Sequence, residues 1–359
     1  MDISINRQIS TQTRNDALDL QNRYVFVGKS AGALNASNDA VGVVVGYEAG
    51  RSAKNVANNV FVGYRSGYNA STDTDNVFVG TNSGTNNRSG SRNVLVGTDV
   101  CPKSGTGMNN VMIGYRSGYE NQTGLNNVFV GIETGRSNRS GIDNVFVGRN
   151  TGRHNNNGHN NVLLGSNSGF YNLSGANNVF LGCNSGYQNT TGKNNVFAGH
   201  QAGHEHESGR DNVLVGVRCG RALSHGNENT MLGANAGNLT VTGTNSVLLG
   251  SNAGRFGNSQ FHNVFIGHNA GRFNQSEPVR FLRSVDANGL DITDLMNDLI
   301  NDQLPMVYPF DAAHDLMNGN DCVTLRSKAN FPVFVERFHV PVNDLLSSVK
   351  ETNDCYTLL

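Results

Sequence analysis

The sequence predicts an all-β protein dominated by a β-solenoid, a fold in which a short repeat winds into stacked coils. A Val-Phe-Val-like triplet followed by Gly recurs about every 17 residues. Glycine is unusually abundant, at 44 of 359 residues against a usual level of roughly 7%. Charged residues make up only 15% of the chain. One copy of the repeat is too small to bury its own apolar triplet, so neighbouring copies must stack to complete a core.

The glycine that ends each triplet, called here the reference glycine, marks fifteen copies of the repeat. The first interval between copies is 18 residues and every later interval is 17. An insertion would break the backbone pairing between stacked coils, so this constant period predicts one coil per repeat. The reference glycines are Gly28, Gly46, Gly63, Gly80, Gly97, Gly114, Gly131, Gly148, Gly165, Gly182, Gly199, Gly216, Gly233, Gly250 and Gly267.

Positions counted from the reference glycine form columns with distinct compositions. Position −3 is Val except at Thr230, position −2 is mostly Phe, Leu or Met, and position −1 is Val, Ile, Leu or Ala. This run is bounded by Asn at −4 and by Gly, which is typical of a very short strand. Glycines at 0, +4 and +10 permit positive φ and predict corners. The corner residues chosen to represent them are Gly63, Gly67, Gly114, Gly118, Gly131 and Gly135.

Both faces of each strand are apolar. Strand side chains alternate, so positions −3 and −1 share one face and position −2 lies on the other. A coil interior can bury only one face, and the other face would then exceed the apolar patch that a soluble monomer usually exposes. An identical chain is the simplest partner. With Phe outward the contact is an aromatic column, and with Val outward it is a flatter aliphatic surface.

The segment Asn59-Val60-Phe61-Val62-Gly63-Tyr64-Arg65-Ser66 resembles the N-S-V-A-I-G-x-x-S head repeat of trimeric autotransporter adhesins. It is also similar to the Asn- and Gly-rich repeats of phage tail-fibre and other virion-fibre proteins. The resemblance implies a left-handed β-roll assembled as a homotrimer, with Val60 and Val62 inside each roll and Phe61 toward the partner chains. The trimer interface implied in this way consists of Phe61, Phe78, Phe129, Phe146, Phe180, Phe197 and Phe265.

Composition divides the chain into three regions. Residues 1–22 are polar and are expected to form an N-terminal arm, and residues 23–276 carry the solenoid. Residues 277–359 have ordinary composition and are expected to form a small C-terminal α+β domain that caps the last coil, docks to another protein or binds a receptor. Apolar spacing there predicts a helix over Asp291–Leu304, one or two strands over Phe331–Val342 and a further helix over Val342–Lys350.

Several function classes are disfavoured by composition. The net charge is −1 and Lys and Arg do not cluster, so no nucleic-acid binding is expected. The chain has no long apolar run, so no membrane insertion is expected. The segment Met1–Leu20 lacks the apolar core of a secretory signal.

The favoured function is a virion structural or fibre protein that serves attachment or particle assembly. The repeat is longer than that of the adhesins, and the extra residues are expected to enlarge an outer loop. The missing signal and membrane anchor also favour a virion over the alternative, a bacterial or secreted adhesin at the cell surface. An ice-binding solenoid is a lesser alternative, because the +9 column mixes Thr, Ser and Asn. The expected partners are the chain itself, other particle proteins through a terminus, and a glycan or protein receptor.

Neither catalytic nor cofactor-binding residues are expected. The stretch Gly28-Lys29-Ser30-Ala31-Gly32 matches the G-x-S-x-G nucleophile elbow, but both glycines belong to the repeat. Of His200, His204 and His206, the last two form a His-x-His pair that three chains could turn toward a shared metal ion. The preferred interpretation is that His204 and His206 are ordinary solvated side chains in the outer loop.

Three further sets of residues have an ordinary explanation beside a functional one. The five cysteines are odd in number and irregularly spaced, so free thiols are expected. Most Asn-x-Ser/Thr sequons share the +7 column, so the repeat itself explains them. Tyr and Arg recur at +1 and +5, where they could bind a glycan or a protein or pack over the glycine corners.

Overall fold

The computed structural model describes residues 24–33, 42–54, 58–71, 74–257 and 259–272, together with the backbone of five short strands within 282–358. The described residues fall into two compact units that divide between Asn194 and Asn195. The expected region boundaries after residues 22 and 276 lie outside the described residues.

The first unit contains ten strands, one for each Val-Phe-Val-like triplet. Each strand is only three or four residues long, because Asn precedes it and the reference glycine ends it in most copies. The strands are β1 (Tyr24–Val27), β2 (Gly42–Val45), β3 (Asn59–Val62), β4 (Val77–Val79), β5 (Val94–Val96), β6 (Val111–Ile113), β7 (Val128–Val130), β8 (Val145–Val147), β9 (Val162–Leu164) and β10 (Val179–Leu181).

These strands pair in sequence order, and every pair is parallel. Equivalent repeat positions face each other, as in Val128↔Val145 and Phe129↔Phe146 between β7 and β8. The backbone bonds continue around the coil, since Gly135 N donates to Thr151 O at 2.9 Å and Ser137 N donates to Arg153 O at 2.9 Å. The prediction of a parallel β-solenoid with one coil per 17 residues is therefore confirmed.

The second unit repeats this arrangement. Its main strands are β11 (Val196–Ala198), β12 (Val213–Val215), β13 (Thr230–Leu232), β15 (Val247–Leu249) and β17 (Val264–Ile266). They pair in parallel in that order, and β17 also pairs with β18 (Leu282–Arg283). A second parallel pair, β14 (Thr242–Thr244) with β16 (Ser259–Phe261), forms at positions +9 to +11 of the coil.

The C-terminal region contributes four further strands. They form two antiparallel pairs, β19 (Cys322–Arg326) with β20 (Pro332–Glu336) and β21 (Val349–Thr352) with β22 (Cys355–Leu358). Strand β20 falls within the predicted strand region over Phe331–Val342. The helix predicted over Val342–Lys350 ends in residues that belong to β21, and the helix predicted over Asp291–Leu304 lies outside the described residues. No helix occurs in the part of the chain that the structure describes.

The interior of the coil is built from the −2 column. Phe61, Phe78, Phe129 and Phe146 have no exposed surface at all. Their rings stack along the axis, with centroids 5.1 Å apart for Phe61–Phe78 and 4.8 Å apart for Phe129–Phe146. This spacing is close to the separation of about 4.8 Å between paired strands, so the core is a continuous ladder of like side chains within each unit.

Buried asparagines at −4 form a second ladder beside the aromatic one. The carbonyl Oδ1 of Asn127 accepts from the backbone N of Asn144 at 3.0 Å and from its Nδ2 at 3.1 Å. The Nδ2 of Asn127 donates to Gly141 O, at the +10 position of its own coil, at 2.8 Å. A buried amide needs such partners, and these bonds tie each coil to its neighbour and close the coil on itself.

A third ladder occupies the +7 column, which was expected to lie in an outer loop. Asn138 Nδ2 donates to Asn121 Oδ1 at 2.8 Å, and Asn155 Nδ2 donates to Asn138 Oδ1 at 2.6 Å. All three side chains are buried. The outer-loop expectation is therefore wrong for this column, because stacked coils supply each amide with a partner from the neighbouring coil.

Candidate functional site

The expected interface of phenylalanines is corrected by the structure. Inside one chain the whole surface of these side chains is already covered, which leaves nothing for a partner chain to contact. The reason is local: the +4 glycine makes room for the ring of its own coil, and a Cβ on Gly135 would lie 2.5 Å from Cε2 of Phe129. The residues that lie in the core rather than at the predicted interface are Phe61, Phe78, Phe129, Phe146, Phe180, Phe197 and Phe265.

The outward face of each strand carries the −3 and −1 columns instead. Val60 and Val62, which the resemblance placed inside, are only partly buried. In the first unit this aliphatic face consists of Val at −3 and Val, Ile or Leu at −1 in all ten strands, without a polar or charged member. In the second unit it continues through β11, β12, β13, β15 and β17, with Thr230 and Ala198 as the departures.

The aliphatic face ends at the reference glycine. The next column, +1, is exposed but chemically mixed, since it contains Lys29, Tyr64, Arg149 and His200. A column that changes character from coil to coil does not match a uniform apolar partner. The uniform columns −3 and −1 are therefore the candidate self-association surface.

The six corner glycines all have positive φ. The values are 127–140° at the reference positions Gly63, Gly114 and Gly131, and 55–58° at the +4 positions Gly67, Gly118 and Gly135. At Gly131 a Cβ would also lie 2.5 Å from the carbonyl oxygen of Gly148 in the next coil. The reference glycine thus permits both the corner and the close approach of consecutive coils.

Two other left-handed corners, at −5 and +2, are formed by residues other than glycine. Examples are Asn126 with φ 56° and Glu133 with φ 52°. Sequence reasoning did not assign these corners, although Asn and Asp are frequent in both columns and tolerate this region. Ser30 is one of them, with φ 60° in a turn, so its G-x-S-x-G match coincides with an ordinary corner of the repeat.

The two candidate metal ligands do not lie together. His204 is a half-buried side chain in the outer +5 column, whereas His206 occupies the buried +7 column, with its ring 5.0 Å from that of Phe197. Burial lowers the pKa of His206 to about 4. The expectation of a solvated His206 is therefore wrong. Among the described residues, no group of three or more His, Cys, Asp or Glu is arranged to hold a metal ion.

The described cysteines are free, and two of them are buried. Burial raises the pKa of the Cys101 and Cys219 thiols to about 12, so both stay protonated and unreactive at neutral pH. Cys183 is exposed. The sequons at Asn87, Asn121, Asn138, Asn172 and Asn189 belong to the buried +7 ladder, where the amide nitrogen that a glycan would modify is enclosed.

The corner between +1 and +5 gathers the aromatic and charged side chains. Tyr47 and Tyr64 stack with centroids 5.6 Å apart and planes 7° apart. Glu48 Oε2 accepts from Arg65 Nε at 2.8 Å, and Glu48 Oε1 accepts from Arg51 Nη1 at 2.8 Å. The corner therefore presents partly exposed tyrosine rings beside two arginines that share one carboxylate.

Comparison of the chain with protein-family models, with curated proteins and with solved structures found no match. Within the residues that the structure covers, no helix has the length and apolar character needed to span a membrane.

Proposed function

We propose that the chain is a structural fibre protein of a virion, which assembles as a homotrimer through its aliphatic face and serves attachment or particle assembly. The observation that carries the proposal is the aliphatic column pair at −3 and −1, which lies on the outer face and is partly or fully exposed along the strands. Strand β8 shows it, with Phe146 buried, Val145 partly buried and Val147 exposed. A surface of this kind needs a partner with the same period, and a second copy of the chain has that period.

The dimensions of the face support self-association. Three residues of strand span about 10 Å, and coils about 4.8 Å apart give roughly 480 Å² over ten strands of the first unit and about 240 Å² over five of the second. The larger of these areas is more than half of the ~800 Å² that each partner contributes to a stable interface. The resemblance of the repeat to trimeric adhesin heads supports three chains and a left-handed coil.

The placement in a virion is supported by the thiols. Cys183 is exposed and free, and unpaired exposed thiols are more typical of proteins assembled in a reducing compartment than of secreted ones. A virion protein assembled inside its host meets that condition. A surface adhesin is exported before it folds and is exposed to an oxidising medium.

Locating the protein tests this placement. Antibodies against the solenoid should label projections on purified particles and detect the chain in the particle fraction. Detection only in the cell-envelope fraction would reject the virion and favour the adhesin.

A further inference from the structure

Three arginines from consecutive coils of the first unit surround a single carboxylate at the +1 to +5 corner. The carboxylate of Glu133 lies 2.9 Å from Arg153 Nη2 and 3.6 Å from Arg136 Nε. It lies 4.0 Å from Nη1 of Arg116, which belongs to the preceding coil. These four side chains are called here the arginine cluster. Only Arg153 is within hydrogen-bonding distance of the carboxylate, so Glu133 leaves the other two arginines incompletely paired.

The backbone of the stack fixes the cluster in place. Arg116 and Glu133 occupy the same +2 corner of successive coils, with φ of 54° and 52°. The N of Glu133 donates to Tyr115 O at 2.8 Å, and the N of Glu120 donates to Arg136 O at 2.8 Å. The charged side chains therefore project from coils that are bonded to each other, which sets their spacing before any ligand arrives.

Two of the arginines retain unused hydrogen-bond donors. The Nε of Arg116 and the Nε of Arg136 are buried and have no hydrogen-bond partner in the described part of the chain. Neither guanidinium donates a hydrogen bond to another described residue. Both side chains are partly exposed, Arg116 by 36% and Arg136 by 27%, so their terminal N–H groups can be reached from solvent. A planar guanidinium with free donors matches a carboxylate or a similar oxyanion.

One tyrosine connects the cluster to a further cation. The ring centroid of Tyr119 lies 5.6 Å from the guanidinium carbon of Arg116 and 5.5 Å from that of Arg136. The same centroid lies 5.1 Å from Lys103 Nζ. Three cations thus gather around one aromatic ring, an arrangement that cation–π attraction favours.

The carboxylates at this corner are too few to neutralise the cations. Glu120 is shared by Lys103 at 3.8 Å and Arg139 at 3.7 Å. Asp99 lies 3.9 Å from Arg116. With the arginine cluster included, the corner contains five basic and three acidic side chains, an excess of two positive charges in a chain whose net charge is −1.

The pKa of His154, which lies beside the cluster, responds to this excess. Burial is the largest cause that lowers the pKa, followed by the positive charges of Arg153 and Arg136. Glu120 and Glu133 raise the pKa, but each has a smaller effect than either arginine. The corner is therefore electropositive where His154 lies, although two carboxylates are close.

We propose that the arginine cluster binds an acidic glycan through a carboxylate or sulfate group on the sugar. The free donors of Arg116 and Arg136 would hold the oxyanion, which supplies part of the missing negative charge. Partly exposed aromatic side chains border the cluster, Tyr115 by 41% and Tyr171 by 40%, and they offer apolar surface to the body of the ligand.

Size and charge favour a glycan over other acidic partners. The cluster covers two coil steps, about 10 Å along the axis, which is far less than the ~800 Å² that a protein partner covers. An excess of two charges suits one or two oxyanions rather than the many phosphates along a nucleic acid.

This inference rests on the attachment role proposed above and supplies its ligand class. In an assembled trimer three clusters would act together, so that weak single sites yield strong attachment to a glycan-covered surface.

Isothermal titration of the full-length protein with three oligosaccharides of similar length tests the proposal. The probes are a carboxylated uronic-acid oligosaccharide, a sulfated heparin oligosaccharide and a neutral chito-oligosaccharide. At least one acidic probe should bind and the neutral probe should not. The acidic probe that binds more tightly identifies the preferred oxyanion.

The double variant Arg116→Gln, Arg136→Gln should reduce affinity for the acidic probe by about tenfold or more, because it removes the free charged donors. The chain already contains uncharged amides in both columns, Gln201 at +2 and Asn238 at +5, so the coil should tolerate the change. Circular dichroism checks the fold.

The matched control Arg92→Gln, Arg210→Gln removes the same charge from outside the +1 to +5 corner. It should change affinity by no more than about twofold, as expected for the loss of distant exposed charges.

Three results would overturn the proposal: no binding to either acidic probe, equal binding to the neutral probe, or equal loss of affinity in the control variant. A nucleic-acid oligomer of equal charge that binds as tightly as the acidic glycan would show a general polyanion surface instead. Sedimentation of the same samples separates this claim from the proposed assembly, because a trimer that binds no acidic glycan contradicts the arginine cluster alone.

Discussion

His206 departs from the residue type of its column. In the first unit the +7 position is Asn in most coils, with Ala53, Ala70 and Ser104 as departures, whereas a histidine takes this buried position in the first coil of the second unit. Its Nε2 lies 3.4 Å from Asn212 Nδ2. Burial is the largest cause of its lowered pKa, and nearby His225 lowers the pKa further. The histidine is therefore held neutral inside the coil.

Acidification is expected to destabilise the protein through His206. Since its pKa is about 4 when folded and about 6.5 when unfolded, the unfolded chain binds the extra proton between these values. The contribution of neutral His206 to the free energy of unfolding is fully present above about pH 6.5. It is lost as the pH drops toward 4, by about 3 kcal/mol in all. Urea unfolding of the wild type and His206→Asn at pH 7 and 4.5 measures this loss.

The quantity compared is the loss of unfolding free energy between pH 7 and 4.5 in each protein, because protonation of carboxylates also destabilises both proteins in acid. His206→Asn restores the ladder residue and should show the smaller loss. An equal loss in both proteins would mean that His206 does not titrate inside the fold.

At the scale of one coil, the asparagine ladder couples neighbouring turns. Asn127→Leu should destabilise the protein by several kcal/mol, since removing a partner from a buried polar group costs about 1–3 kcal/mol and the backbone N of Asn144 would lose its acceptor. Asn127→Ser should cost less. The chain itself contains this replacement at Ser246, whose Oγ accepts from Asn263 N at 3.3 Å. Thermal melts of the two variants test this prediction. Equal losses of stability in both variants would contradict the proposed role of the asparagine ladder.

The strand itself provides a test of which face is inside. Phe129→Ala removes a fully buried ring and should cost about 3–5 kcal/mol. Val130→Ala, one residue away on the outer face, should leave the unfolding free energy of the isolated chain within about 1 kcal/mol, close to an ordinary surface substitution. Chemical denaturation in dilute solution, where chains are separated, compares them. A larger loss from Val130→Ala would reverse the assignment of the faces.

Much of each coil could be predicted from sequence. The indel-free period, the short strands and the glycine corners at 0 and +4 followed from column composition, because these features depend on backbone geometry that Gly and Val-rich runs indicate directly. The glycines at +10, such as Gly124 and Gly141, were also predicted as corners, but they do not have positive φ. The choice of inner face did not follow, since both Phe61 and its Val neighbours are apolar. The deciding feature was steric: the ring of the −2 residue needs the space above a +4 glycine such as Gly67.

The polar ladders were harder to predict for a different reason. A lone asparagine at position +7 is typical of a turn exposed to solvent. Asn138 is buried only because identical residues above and below satisfy its amide. Its burial is a property of the stack rather than of one repeat, and the same reasoning explains why His206 was misplaced.

For the molecule as a whole, the aliphatic face gives the strongest indication of function. Each coil already has a complete core within one chain, so the aliphatic face is available for assembly. The +1 to +5 corner remains available for a ligand. The two surfaces lie on opposite sides of the reference glycine along the coil, so association through the aliphatic face leaves the +1 to +5 corner uncovered.

Sedimentation velocity at micromolar concentration tests the central claim, that chains associate through the aliphatic face. The wild type should sediment as three chains, and the triple variant Val94→Lys, Val128→Lys, Val162→Lys should sediment as one chain with unchanged circular dichroism. The control Ser140→Lys, Asn157→Lys, Thr191→Lys adds the same charge to the exposed +9 column and should remain trimeric. A wild type that sediments as a single chain, or a triple valine variant that stays assembled, would contradict the account.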